Sequence, residues 1–580
     1  MSNTFSLSAK HLAGGYHSQQ RNRAPEELSI PSKNIRYTKT GAAECRKGYD
    51  DTDTDLATAN YAFTPHYSQR FNISFFAGGG KLLYVDHNND DTVVDTGITL
   101  DSTVTTRMVE SRGILFLHNT VDGLKILILT KLNGAVTAGG NITIDLDGAA
   151  LLNRFSLTSS NICINGTDEA YTNVNVTTGV LTATSSAAYA DNTFAFVVKA
   201  IPNAPKCSKY VVWRNSLNGI GMAETEADTT YDVPTGTMAG GRFATANSIE
   251  NIVDFTGTGS TSEPVEGNLT NIIALEGYII LFTKQEAYTI GLSDVNQATG
   301  SRPPNFFTNA GCINEECAVE MDGDLVWASP EGRVIRARRA VIGNVPTLDI
   351  DSEFDAPIHE HLRNINTTQD NAVMHYWKKG KLLFYQVSID EEVLTFVWDN
   401  DKGAWCPPDT NKIFAKYYER NGDLYATDAY DDTIYRVEFG VNDNGADIPW
   451  VIATGIFTSE GGITTVETGI MEFLGDMTQP ATVYYVPHVN SKQGNEKEIL
   501  SSTASFSIGS PIGATTIPFA IGGGGTTEEF GSFSYKTAIV PAYGEEFQHK
   551  WYSNGDNHRF RIKNWKQTGQ VLEDSTITMK

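Results

Sequence analysis

The chain has 580 residues, 40% of them apolar and 10% aromatic, enough to bury a large core, so two or three folded domains are expected rather than a disordered polymer. Its 69 acidic and 44 basic residues leave a formal charge of −25, which repels phosphate and excludes a broad basic face for gripping nucleic acid. Six cysteines (Cys45, Cys163, Cys207, Cys312, Cys317 and Cys406), none in C-x-x-C spacing, exclude a disulfide framework and a zinc ribbon. They read as buried thiols of a protein made in a reducing cytoplasm.

The opening Met1-Ser-Asn-Thr-Phe-Ser-Leu-Ser lacks the apolar core of a secretion signal. No run approaches the ~18 apolar residues that span a bilayer, so no membrane insertion is expected. The first fifty residues differ from the rest in charge, with eight basic residues against four acidic, so that the remainder carries −29. Residues 1–70 read as an extended arm with docking strands. Its Arg21, Arg23, Lys33, Arg36, Arg46 and Lys47 are the candidate contacts to an acidic partner.

From residue 71 to 440 the pattern is short apolar runs broken by Gly, Asn or Asp, the signature of strands and hairpins. Strand-turn-strand units recur, among them Gly80-Lys-Leu-Leu-Tyr-Val85, Gly323-Asp-Leu-Val-Trp-Ala328, Gly380-Lys-Leu-Leu-Phe-Tyr385 and Gly422-Asp-Leu-Tyr-Ala426. The last three openings lie 57 and 42 residues apart, near the ~40–50 residues of one four-stranded propeller blade. An all-β fold with a β-propeller of about six to eight blades is therefore expected, with a string of separate sandwiches as the alternative.

Residues 131–200 hold only eight charged residues and read as a small β-rich module inserted into the propeller. One short helix is expected over Glu353 to Asn364 (EFDAPIHEHLRN). Residues 441–580 lose the blade spacing and show long alternating strands, which predicts a C-terminal β-sandwich serving as a platform.

Motifs with chemical potential are weak. Gly78-Gly-Gly-Lys81 lacks the full phosphate-loop pattern and leads into a strand, so it reads as a hairpin turn, and Gly522 to Gly525 reads as a flexible loop. His359 and His361 stand two apart, on different sides of a helix, which suits a solvent-facing helix better than a metal site. Asp86-His-Asn-Asn-Asp-Asp91 is oxygen-rich but lacks the Gly and distal Glu of a calcium loop. With no G-x-S-x-G elbow, no H-E-x-x-H helix and no Asp-box repeat, there are no named catalytic, cofactor-binding or metal residues, and no enzyme is expected.

Several phrases occur in a consistent order: Gly14-Gly15, Ile30-Pro-Ser-Lys-Asn34, Tyr37-Thr-Lys-Thr-Gly41 and Arg46-Lys-Gly-Tyr49, then Lys209-Tyr-Val-Val-Trp213, Arg242-Phe-Ala-Thr245, Asn251-Ile-Val-Asp-Phe255, Trp327-Ala-Ser-Pro-Glu-Gly332 and Phe396-Val-Trp-Asp-Asn-Asp-Lys-Gly-Ala-Trp405. Taken together the chain resembles the tail-nozzle, or tail tubular protein B, family of bacteriophage propeller proteins; the insertion at 131–200 departs from it. The resemblance implies a structural virion protein made in the host cytoplasm, whose copies form a hexameric ring on the head-tail adaptor protein. It further implies contacts to tail fibres or other tail proteins, and double-stranded DNA passing through without sequence-specific binding. An acidic lumen would let DNA slide, and the basic arm would dock on an acidic neighbouring subunit. The alternative is a host-receptor-binding or glycan-degrading tail protein with the same propeller.

Overall fold

The structure is a computed structural model that describes residues 3–9, 14–18, 27–56, 62–220, 244–246, 267–291, 305–363, 372–475, 482–501, 531–535, 542–553 and 558–571, apart from single positions and pairs within these ranges. Among them, seven antiparallel sheets follow one another as blades. Blade 1 is Thr64–Ser68, Ile73–Gly78, Lys81–Asp86 and Thr92–Thr99, and blade 2 is Arg107–Ser111, Ile114–Asn119, Gly123–Lys131 and Phe194–Ala200. Blade 3 shows Lys209–Trp213, Ser216–Ile220 and Ala244–Ala246; blade 4 is Asn271–Leu275, Tyr278–Phe282, Ala287–Gly291 and Asn305–Thr308. Blade 5 comprises Ala318–Met321, Asp324–Ser329, Arg333–Ile342 and Val345–Asp351; blade 6 comprises Val373–Trp377, Leu382–Ile389, Glu392–Asp399 and Ala404–Trp405.

Blade 7 joins Phe414–Arg420, Asp423–Asp428 and Thr433–Phe439 to a fourth strand from the far end of the chain, Gly48–Asp55. The innermost strand of each blade touches that of the next, and Phe414–Arg420 returns to Thr64–Ser68. The disc is closed, and the alternative of separate sandwiches falls away. Phe76, Leu83 and Val85 of blade 1 share a core with Tyr418, Tyr425 and Ile434 of blade 7.

The turns explain the repeated openings. Asp322-Gly323 joins the first two strands of blade 5 and Asn421-Gly422 those of blade 7, each pair with positive φ at both residues. That conformation matches the twist of a two-residue hairpin and is tolerated by Asn, Asp and Gly. Blade 6 ends in Trp405, which is 1% exposed, donates its Nε1–H to Phe354 O at 2.7 Å and packs on Phe354 and Trp398. Trp405→Phe removes that donor and leaves a buried carbonyl unpaired, so a loss of about 2 kcal/mol is expected in a urea unfolding curve.

The inserted module lies between the third and fourth strands of blade 2 and extends its sheet through Ser160–Ile164, Thr167–Val174, Val180–Ala183 and Ile142–Thr143. It also carries a helix, Leu146–Arg154, that the sequence reading did not anticipate. Gly148, Ala149 and Leu152 form its buried face. A Cβ at Gly148 would come within 2.2 Å of Thr130 Oγ1, so the absent side chain lets the helix lie on the blade.

The domain boundaries move accordingly. Residues 1–70 are more than an extended arm with docking strands, because Gly48–Asp55 and Thr64–Ser68 belong to the propeller itself. Three earlier strands, Asn3–Ala9, Ile35–Tyr37 and Ala43–Cys45, join the strands that follow residue 440. Where a two-sheet sandwich was expected after 440, the described strands are hydrogen-bonded into one sheet of eleven. Its long strand Phe457–Gly475 pairs along one edge with Ala542–Ser553 and Gly531–Tyr535 and along the other with His558–Val571. Asn3–Ala9 covers the far edge of His558–Val571, Asn3 opposite Val571 and Ala9 opposite Trp565. An otherwise open edge is thereby paired.

Candidate functional site

Two charged clusters stand out, one on the propeller axis and one where the propeller meets the eleven-stranded sheet. Each blade begins in sequence with its inner strand, so the inner strands run in one sense and start at one rim of the axis. Arg107 and Lys209 open the inner strands of blades 2 and 3, Lys416 lies near the start of that of blade 7, and Glu316 stands two residues before that of blade 5. Arg107 Nε and Lys416 Nζ both donate to Glu316 Oε1 at 2.8 Å, and Lys209 Nζ donates to Asn271 Oδ1 and to Glu315 O, each at 2.7 Å.

Burial alone would raise the Glu316 carboxyl pKa, but Lys416, Arg107 and Lys209 outweigh it and hold the group below the usual carboxylate range. Burial pulls the Lys209 amine down to about 8, with Arg107 and Lys416 adding to the fall. His118, 1% exposed behind Arg107, is pushed down to about 3 by burial and then by the same three cations, so it stays neutral. Further along, His66 Nε2 lies 3.1 Å from Glu110 Oε2, and Ser68 Oγ donates to Glu110 Oε1 at 3.2 Å. The bonds from Arg107 of blade 2 and Lys416 of blade 7 to Glu316 beside blade 5 thus tie non-adjacent blades together at this rim of the axis.

The second cluster takes up the sequence-predicted contact residues. Arg36, 7% exposed, makes a two-pronged bond to Asp409 (2.8 and 2.5 Å) and reaches Glu438 Oε1 at 2.6 Å. Arg46, 2% exposed, grips Asp443 through two bonds of 2.8 and 2.6 Å. Asn34 sits between them, accepting from Arg46 Nε (3.2 Å) and donating to Thr410 Oγ1 (3.0 Å) and Pro449 O (2.6 Å). Arg36 and Arg46 therefore clamp the sheet onto blade 7 within their own chain, where the sequence reading had them reach a neighbour. Buried charge requires opposite charge at hydrogen-bond distance, and this chain supplies it. Lys33 is half-buried and its backbone pairs with Val451; Lys47 is half-buried and its carbonyl accepts from Arg46 Nη1. Arg21 and Arg23 lie outside the described residues.

The weaker motifs resolve locally. Gly79 and Gly80, both at positive φ, make a tight hairpin turn, while Gly522 to Gly525 lie outside the described residues. The helix His359–Leu362 does not face solvent as expected: Leu362 is buried and His361 Nε2 is 2.6 Å from Tyr16 Oη with the two rings stacked. In the Asp86–Asp91 turn, Asn88 N–H caps Asp86, and Arg420 from blade 7 sits against His87 and Asp91 in the place a cation would need. The same turn yields a Ser-His-Asp chain invisible in sequence: Ser74 Oγ is 2.8 Å from His87 Nε2, and His87 Nδ1 is 2.5 Å from Asp91 Oδ1. These are triad distances, yet Ser74 is 0% exposed and no substrate could reach it. It is a seam between blades 1 and 7. Among the described residues no group of three or more His, Cys, Asp or Glu side chains is placed to hold a metal ion.

No family profile matches the chain, and no curated protein matches it. Among solved structures it is similar to the Dos1 propeller, at 11% identity over 67% of this chain and 94% of that one with a TM-score of 0.32. It is also similar to Chaetomium thermophilum Sqt1 bound to the N-terminus of ribosomal protein L10, at 11% identity over 68% of this chain and 98% of that one with a TM-score of 0.29. Superpositions this loose add nothing to the closure of seven successive sheets, which by itself makes the chain a β-propeller protein.

Proposed function

We propose that this chain is a structural subunit of a bacteriophage tail, of the nozzle kind, whose copies surround the path by which DNA leaves the capsid. One observation carries the reading. The early phrases on which the resemblance rests are the residues of the joint between propeller and sheet: Asn34 bridges Arg46, Thr410 and Pro449, Arg46 clamps Asp443, and Gly48 lies so close to Asn442 that a Cβ would sit 1.6 Å from its carbonyl oxygen. Ordinary hairpin chemistry would not require those residue types there.

The charge of −25 supports the same role, since an acidic wall does not hold phosphate. With blades 2, 5 and 7 tied together at the axis through Arg107, Lys416 and Glu316, the passage is formed between copies around a symmetry axis. The partners are then further copies of the chain, the head-tail adaptor and other tail proteins, and the site of action is the virion. Negative-stain images of the purified protein, alone and with adaptor rings, test this. Six-fold rings that stack on the adaptor are expected, and a persistent monomer that hydrolyses glycans would overturn the reading.

A further inference from the structure

We propose that the rim of the propeller axis where the inner strands begin is a binding site for monohydrogen phosphate, held by Lys209, Arg107 and Lys416. Three cationic side chains from three blades converge there, and their hydrogen-bond capacity is not used up. A lysine has three N–H groups and an arginine five. Lys209 spends two, on Asn271 Oδ1 and Glu315 O. Lys416 spends one, on Glu316. Arg107 spends Nε on Glu316 and Nη1 on Ser208 O (3.0 Å), while its Nη2 stands 3.8 Å from Glu315 Oε2. Behind them His118 accepts from Tyr210 N–H through Nε2 and stays neutral.

The two carboxylates select the anion. Glu316 takes both of its cations on one oxygen, Oε1. Monohydrogen phosphate carries one O–H that Glu316 or Glu315 can accept, while its other oxygens take the spare N–H groups. Sulfate has the same shape and charge but no proton to give, so a carboxylate beside it is left in repulsion. The depressed Lys209 amine, which faces Glu316, Arg107, Cys312 and Lys416, fits a position that an anion would relieve. Above pH 8, binding should therefore draw a proton onto Lys209.

The test is calorimetry on the full chain with sodium phosphate and sodium sulfate at matched ionic strength, at pH 7.5 and 8.5. Expected are one phosphate per chain, sulfate weaker by about tenfold or more, and, at pH 8.5, a heat that changes with the buffer's ionisation enthalpy. Lys209→Met should weaken phosphate by about tenfold and remove the buffer dependence, while Lys379→Met, at an exposed surface pair, should change neither. Equal affinity for sulfate, no phosphate heat beyond that of chloride, or an unchanged Lys209→Met protein would each overturn the proposal. Should Lys209→Met fail to fold, phosphorus NMR line broadening on the unaltered chain decides, with sharp lines counting against the site. None of these readings depends on whether the chain forms rings.

Discussion

Replacing Arg36 by methionine is expected to lower stability by about 3–5 kcal/mol, because the substitution strands two buried carboxylates rather than merely deleting a bond. Asp409 is 1% exposed, the Glu438 side chain is nearly as enclosed, and both point at the one guanidinium. Adding Asp409→Asn and Glu438→Gln to Arg36→Met should recover much of the loss, since the stranded charges are then gone. Arg338→Met is the control: its partner is Asp351, but the Arg338 side chain is 58% exposed, and a change within about 0.5 kcal/mol is expected. Urea midpoints for the four proteins measure this. If Arg36→Met left the midpoint in place and impaired only assembly, the guanidinium would serve a neighbour rather than its own chain. Deleting residues 2–40 cannot make that distinction, because it removes the strands Asn3–Ala9 and Ile35–Tyr37 from the large sheet.

Acid should unfold the propeller well before its surface carboxylates are neutralised. His118 is held down to about 3 and His375 to about 4, in each case chiefly by burial, with Arg107 and Lys378 respectively the leading nearby cations. A histidine whose folded pKa lies below its unfolded value near 6.5 takes up protons preferentially when unfolded. Its contribution is complete above pH ~6.5 and is lost as pH falls toward the folded value. The shift at His118 corresponds to about 5 kcal/mol by pH 3, at ~1.36 kcal/mol per unit. His87, His361 and His488 are shifted in the same direction, and Glu316, whose pKa is lowered, adds its own loss below pH ~4.5. Stability measured by urea titration should be level from pH 8 to 7 and fall steeply between 6 and 4. His118→Gln should be weaker at pH 8 yet flatter with pH. A curve level down to pH 4.5 would show that these imidazoles are not held neutral.

The blades were legible because hairpin chemistry is local: Asp322-Gly323 and Asn421-Gly422 announce their turns within four residues, and the apolar runs after them follow the period of a buried strand. The closing strand was not. Gly48-Tyr-Asp-Asp-Thr-Asp-Thr-Asp55 has four aspartates and no alternation, and its place is set by the exposed edge of Thr433–Phe439 rather than by its own propensity. The helix Leu146–Arg154 was hidden for a related reason: Asp145, Gly148 and Asn153 read as turn residues, and only the fit of Gly148 over Thr130 makes a helix the favourable choice. The axial cluster and the Ser74, His87 and Asp91 chain unite residues from different strands and blades, and no spacing in one dimension encodes that. For Arg36 and Arg46 the basic character was visible, but their acidic partners lie some four hundred positions downstream.

That Gly48–Asp55 completes the last blade has a consequence for birth on the ribosome. Asp55 meets Thr433 across the final seam, so at ~5–20 residues per second the early segment waits roughly 20–75 s for its mate to emerge. During that interval an apolar edge would invite pairing with other nascent chains, and four acid groups among eight residues make such encounters repulsive. The aspartate-rich composition at this position thus works as a temporal safeguard as well as a final latch.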